Sequence, residues 1–82
     1  MKKIIITPQA RVDLRRIDRE TAMRILTALD RFARTGEGDV KRLQDIEPPE
    51  FRLRVGDYRV RYCDHGISIL VLSVLHRSEA YR

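Results

Sequence analysis

The chain has 82 residues and a net charge of +5, with a pI near 10.0. That length fits one domain, residues 1–82, with a modest core, and the basic balance favours an anionic partner, nucleic acid or an acidic protein. The single cysteine, Cys63, excludes an internal disulfide and fits a reducing, cytoplasmic setting. No apolar run approaches the roughly 18 residues of a membrane span, and the three isoleucines after MKK are too few for the apolar region of a signal peptide.

KKIIIT, residues 2–7, is a β-branched run and predicts a first strand. Thr7-Pro8 then reads as a helix start, with Thr as N-cap and Pro at the first helical position. Ala10, Leu14 and Ile17 follow at helical spacing, and Asp18 is placed to cap a second helix, with Thr21 where a full capping box has Glu. In that second helix Ala22, Ile25, Leu26, Leu29, Phe32 and Ala33 repeat at intervals of three and four. Arg31 and Arg34 suit its C-terminal dipole, and Gly36 ends it.

From residue 37 the period changes. A short strand is expected at Val40 to Leu43, a turn at Pro48-Pro49, and then strands at 51–55, 58–64 and 67–76. Strand, two helices and a run of antiparallel strands define an α+β domain, one sheet with a helical hairpin on one face.

In FRLRVGDYRVRY, residues 51–62, apolar residues and arginines alternate around Gly56-Asp57. A two-residue turn with Gly first, as in type II′, pairs Val55 with Tyr58, Arg54 with Arg59, Leu53 with Val60 and Arg52 with Arg61. Phe51, Leu53, Val55, Tyr58, Val60 and Tyr62 then face the helices, and Arg52, Arg54, Arg59 and Arg61 share the opposite face. Like charges directly opposed cost roughly 0.2–1 kcal/mol per pair, so such stacking is expected where an anion binds. The acids available to neutralise them within these strands are Asp57 and Asp64, both near turns.

A next turn at His65-Gly66 would pair Cys63 with Ser68, Arg61 with Leu70 and Arg59 with Leu72. Leu70, Leu72, Val74 and His76 then join the arginine face, with Ile67, Ile69, Val71 and Leu75 on the core face. The product is a basic groove with an apolar floor and a histidine at one end. The tail HRSEAYR adds Arg77 and Tyr81. Cations for phosphorane charge, and groups that move protons, are the parts of phosphodiester chemistry. No Cys/His spacing of a metal site and no glycine-rich phosphate loop ahead of a helix is present, and Cys63 has no base predictably beside it.

With these blocks in place the chain resembles the RelE/ParE superfamily of bacterial toxins. FRLRVGDYRVRY is similar to that family's Y-R-L/I-R-x-G-x-Y-R-V-x-Y pattern, and VLHRSEAYR to its V-x-H-R-x-x-x-Y ending, in a resemblance spanning nearly the whole chain. It implies the toxin of a type II toxin–antitoxin module with a RelE-like fold. In the RelE branch it implies an endoribonuclease that cleaves mRNA in the ribosomal A site, by attack of a 2′-hydroxyl on the adjacent phosphate, with no metal and no cofactor. By position it implies catalytic roles for Arg59, for Arg77 with His76 sharing its role, and for Tyr81, and RNA phosphate contacts for Arg52 and Arg54; Arg61, on the same face of the hairpin, is expected to add a further phosphate contact. The implied partners are mRNA, the ribosome and a cognate antitoxin; the apolar floor of the groove, Leu70, Leu72 and Val74, is expected to contact either an acidic amphipathic antitoxin segment or a base. Family members often carry lysines at the positions of Arg52 and Arg54. An arginine effectively cannot release a proton, which makes His76 the better candidate base. The chain ends one residue after Tyr81, and the C-terminal helix of some relatives is not expected. The ParE branch, which poisons DNA gyrase without cutting RNA, is the alternative, followed by a non-catalytic nucleic-acid or antitoxin binder.

Overall fold

The structure is a computed structural model, and it describes residues 1–80. Within them the elements run β1 (Lys3–Ile6), α1 (Pro8–Arg15), α2 (Arg19–Thr35), β2 (Asp39–Arg42), β3 (Phe51–Val55), β4 (Tyr58–Asp64), β5 (Ser68–His76) and α3 (Arg77–Ala80). The strands form a single sheet in the order β1-β5-β4-β3-β2. The β2–β3–β4–β5 meander is antiparallel, and β1 joins β5 in parallel, with Ile4 opposite Ile69 and Ile6 opposite Val71.

Local chemistry accounts for the helix ends. Thr7 caps α1, its Oγ1 accepting from the Ala10 N–H at 3.2 Å, and Pro8 opens the helix. Asp18 caps α2 by accepting from Thr21 N–H at 3.0 Å. Those hydrogen bonds hold the Asp18 carboxyl below its ordinary range. Gly36 closes α2 in the left-handed conformation, φ 78, and donates to the Phe32 carbonyl.

The core lies between the helical hairpin and one face of the sheet. Ala10, Ile25, Leu29 and Ala33 pack on Leu53, Val60, Tyr62, Ile69, Val71 and Val74, with Phe51, Val55 and Tyr58 at its margin. The expected inward set of the β3–β4 hairpin is therefore the observed one. Tyr62 packs between Phe32 and Phe51, both ring centroids at 5.5 Å, and burial pushes its hydroxyl up to about 12.

The β4–β5 hairpin departs from expectation twice. Its turn is longer, so that Asp64 pairs with Ile69 and Cys63 with Leu70. A β-bulge then intervenes: Tyr62 pairs with Val71, but Arg61 pairs with Ser73 and Arg59 with Leu75. The extra residue on β5 reverses its alternation from there on. Val74 is thereby buried in the helix-side core, and Leu75 takes the arginine side. Ile67, expected in the core, lies outside the strand and is 85% exposed.

The bulge is held by α1. Thr7 Oγ1 donates to the Val71 carbonyl at 2.7 Å and lies 3.2 Å from that of Leu72. Asp13, 6% exposed, accepts from the Val74 N–H at 2.9 Å and from the Gln9 side chain at 2.9 Å. The β1–β5 pairing ends at Ile6–Val71 while β5 runs on, and these two side chains supply partners to β5 backbone groups at and beyond that end.

Candidate functional site

Gly56, with φ 59, turns the β3–β4 hairpin, and Asp57 keeps a negative φ, as type II′ requires. The register places Arg54 opposite Arg59 and Arg52 opposite Arg61. All four stand on the face away from the helices, flanked by Lys41 opposite Arg52 and Asp39 opposite Arg54.

The arginines differ in surroundings. Arg59 is only 8% exposed. One terminal nitrogen makes long contacts to the Gly56 and Tyr58 carbonyls, both 3.3 Å, and its Nε has no partner among the described residues. Arg54 is exposed and reaches the same Gly56 carbonyl from Nε at 3.4 Å. Arg61 pairs with Glu50, while its own Nε is buried without an acceptor among the described residues. Ser73, brought opposite Arg61 by the bulge, likewise has a buried Oγ without a partner among the described residues. Arg52 is half-buried between β2 and β4. Around Arg59, Arg61 and Ser73 the donors exceed the acceptors supplied by the described residues. Such an excess is met by ordered water or by an anionic ligand.

Arg77 joins the cluster from the end of β5. Its N–H donates to the Asp57 carbonyl at 2.7 Å, and its Nε stands 3.8 Å from the Asp57 carboxylate. Arg54, Arg59 and Arg77 thus converge on the Gly56-Asp57 turn. The residues after β5 form a helical turn, α3, where no C-terminal helix was expected.

The bulge removes two expected members from this face. Val74 lies in the core beneath the helices. The His76 ring lies on the helix side, edge-on to Tyr58 at 5.3 Å, with Nδ1 bonded to Ser78 Oγ at 2.9 Å. Leu70 keeps its place on the arginine side beside Cys63, and Leu72, at the bulge, stays half-buried. Burial, and secondarily Glu50, raise the Cys63 thiol above its ordinary value, which makes it a poor nucleophile. Tyr81 lies outside the described residues.

Sequence reading missed Glu50, Ser73 and Asp13. Glu50 had a signal, an acid directly before the first arginine strand. Ser73 and Asp13 had none, because both depend on the bulge. Among the described residues no group of three His, Cys, Asp or Glu side chains could hold a metal, and no helix is long and apolar enough to cross a membrane.

Compared with solved structures, the chain has the fold of RelE-type toxins. It superposes on the toxin of the RelB–RelE antitoxin–toxin complex from Methanococcus jannaschii with a TM-score of 0.77 at 22% identity, covering 94% of each chain. For the archaeal RelE–RelB complex from Pyrococcus horikoshii OT3 the TM-score is 0.75 at 24% identity, covering 96% of this chain and 98% of that one. For the RelBE2 toxin–antitoxin complex from Mycobacterium tuberculosis it is 0.63 at 29% identity, covering 95% and 93%. No curated protein sequence matches. Residues 4–81 match the family described as ParE toxin of type II toxin-antitoxin system, parDE. The chain belongs to that family, within the RelE/ParE toxin superfamily.

Proposed function

We infer that this toxin is a metal-independent endoribonuclease that cuts mRNA on the ribosome. The observation that carries the reading is the convergence of Arg54, Arg59 and Arg77 on the Gly56-Asp57 turn, with Arg52 and Arg61 alongside on the sheet face away from the helices. Cations placed around a phosphodiester stabilise the charge that builds on the phosphorane when the neighbouring 2′-hydroxyl attacks. The products are a 2′,3′-cyclic phosphate and a 5′-hydroxyl. In this assignment Arg54, Arg59 and Arg77 contact the reacting phosphate, and Arg52 and Arg61 hold flanking phosphates. Arginine does not serve as the base. His76, turned toward Tyr58, would reach the substrate only after a change at the β5–α3 junction. Tyr81 is the remaining tail candidate for stacking or proton handling.

The same face suits a cognate antitoxin in the cytoplasm. Leu70 and Leu72 offer apolar area beside the arginines, which fits an acidic, amphipathic segment that covers the site until it is released. The solved relatives include antitoxin–toxin complexes.

The test is induction without antitoxin, with cleaved 5′ ends mapped across the transcriptome. Cuts confined to translated messages are expected. The family description, which names parDE, favours a second reading, a gyrase poison. Intact messages with accumulating gyrase-linked DNA breaks would establish that reading instead.

A further inference from the structure

His76 ends β5, and Arg77 opens the helical turn α3. Arg77 is thus the member of the arginine cluster that stands past the end of the sheet. Its N–H donates to the Asp57 carbonyl at 2.7 Å, and its Nε lies 3.8 Å from the Asp57 carboxylate, between two exposed side chains. An exposed ion pair contributes little by itself, and a single turn of helix is marginal alone. The direction in which Arg77 leaves β5 therefore depends on backbone contacts at the junction.

His76 supplies one of them. The Ser78 N–H donates to His76 Nδ1 at 3.2 Å, and the Ser78 hydroxyl lies 2.9 Å from the same nitrogen. A backbone N–H only donates, so Nδ1 is the acceptor, and the ring is neutral with its proton on Nε2. His76 thus caps α3, its side chain accepting from the second helical N–H as an asparagine would. The ring is set edge-on against Tyr58 at 5.3 Å. It shares a cleft with Asp13 and Arg16 of α1 and Glu79 of α3, so the charged groups facing it are two acids and one arginine, with Arg77 next along the chain. An imidazolium would carry a second N–H, at Nδ1, aimed at the Ser78 N–H. The cap would be lost, and the new charge would stand at the positive end of α3.

We propose that His76 is a positioning residue which, in its neutral form, caps α3 and so holds Arg77 at the Gly56-Asp57 turn. This differs from the catalytic role implied by the sequence resemblance, since the ring works from the helix side of the sheet and acts on Arg77 and not on substrate. An imidazole changes charge in the physiological range, so the hold on Arg77 is released as pH falls. The protein then gains a proton yet loses a phosphate contact. RNA binding weakens in acid, the opposite of what added positive charge alone would do. The affinity measurement rests on the RNA-directed reading above, whereas the spectroscopic one does not.

The test follows the ring nitrogens and the Arg77 and Ser78 amides by NMR from about pH 8 to about pH 5.5. Affinity for a short RNA strand, 2′-O-methylated to remove the attacking hydroxyl, is measured over the same range. The ring should carry its proton on Nε2 at the alkaline end. As pH falls, both amides should move together with the ring. Affinity should drop about tenfold, the worth of one hydrogen bond to a charged group, and the log–log salt slope should flatten by about 0.7, one phosphate no longer neutralised. His76→Asn keeps an acceptor in place of Nδ1 and does not titrate, so it should hold the parent's alkaline affinity at every pH. His76→Ala should show the parent's acid values throughout. His65, at the opposite end of the β4–β5 hairpin, titrates in all three proteins and serves as the control. A proton on Nδ1 at the alkaline end overturns the proposal. So does a parent affinity that is flat or rises in acid, or an Asn variant that declines with the parent or is as weak as the Ala variant. If the parent binds no RNA at any pH, yet its Arg77 and Ser78 amides titrate with the ring and those of the Asn variant do not, the RNA-directed reading fails and the positioning role stands.

Discussion

Asp13 offers the sharpest test of how this architecture is built. Its carboxylate joins α1 to the bulged strand through the Val74 N–H, in a buried polar contact between helix and sheet. Asp13→Ala removes the acceptor and strands that N–H in the core, which costs about 1–3 kcal/mol. The broken bond to Gln9 costs little, because Gln9 is exposed and its amide regains water. Alanine returns up to roughly 0.7 kcal/mol through its higher helix propensity. The net loss should be about 1–2 kcal/mol, or roughly 4–16 °C in melting temperature for a domain of this size.

Asp13→Asn separates the hydrogen bond from the charge. The asparagine oxygen can still accept from Val74, and Gln9 can present its own oxygen to the new amide. Asn should therefore be milder than Ala by about 1 kcal/mol. The assays are urea denaturation and amide exchange at Val74, whose protection should fall in the Ala variant and persist in the Asn variant. Equal stability of parent and Ala variant, or an Asn variant as unstable as Ala, would refute this account of the bulge.

Further expectations follow from individual contacts. Arg54→Ala, at an exposed site, should abolish or strongly reduce toxicity with a stability change within about 0.5 kcal/mol; full toxicity in a folded variant would remove Arg54 from the site. Asp64 is held below the usual carboxylate range, first by the hydrogen bond from Lys2 and then by that from Gly66 N–H. Its contribution is present above the unfolded carboxylate value and lost as pH falls through the lower folded value, so Asp64→Asn should lower the melting temperature at neutral pH and converge with the parent in acid. Tyr62 should ionise near 12 in an ultraviolet titration, in a step deleted by Tyr62→Phe. Because unfolded tyrosine ionises near 10, the parent should lose stability as pH rises past that value, and the Phe variant should lose less. Cys63 should react with a thiol reagent slowly in the folded protein and quickly in denaturant, since burial both shields it and raises its thiol.

The β3–β4 hairpin was legible because both of its determinants are local. Gly56-Asp57 sets the turn, and strict alternation over residues 51–62 sets the faces, so each arginine pair could be placed by counting. The helices were legible for similar reasons, through Thr7, Pro8, Asp18 and Gly36. The β4–β5 hairpin was not, because its register depends on partners remote in sequence. SILVLSVLH carries four consecutive apolar residues, Ile69 to Leu72, at the place of the slip, so alternation there does not fix the faces. Thr7 and Asp13, more than 60 residues away, bond to β5 on either side of the slip. The same cause governs the site: Leu70, before the bulge, was placed correctly, whereas Val74 and His76, after it, were not.

The bulge also bears on how the two ends of β5 divide their work. Without it, Val74 and His76 would face the arginines, and the helix-side core would take Leu75 in place of Val74. With it, Val74 completes the packing under α1, and Ser73 stands opposite Arg61. The strand then delivers Arg77, and not His76, to the Gly56-Asp57 turn where Arg54 and Arg59 meet. A buried carboxylate on the helix side is thus bonded to the shifted stretch of β5 that sends Arg77 to the opposite face. Asp13 touches no arginine of the cluster, yet it bonds to the same shifted strand end that carries Arg77. A substitution there that leaves the protein folded should act on the arginine cluster through Arg77 before it acts through any other member.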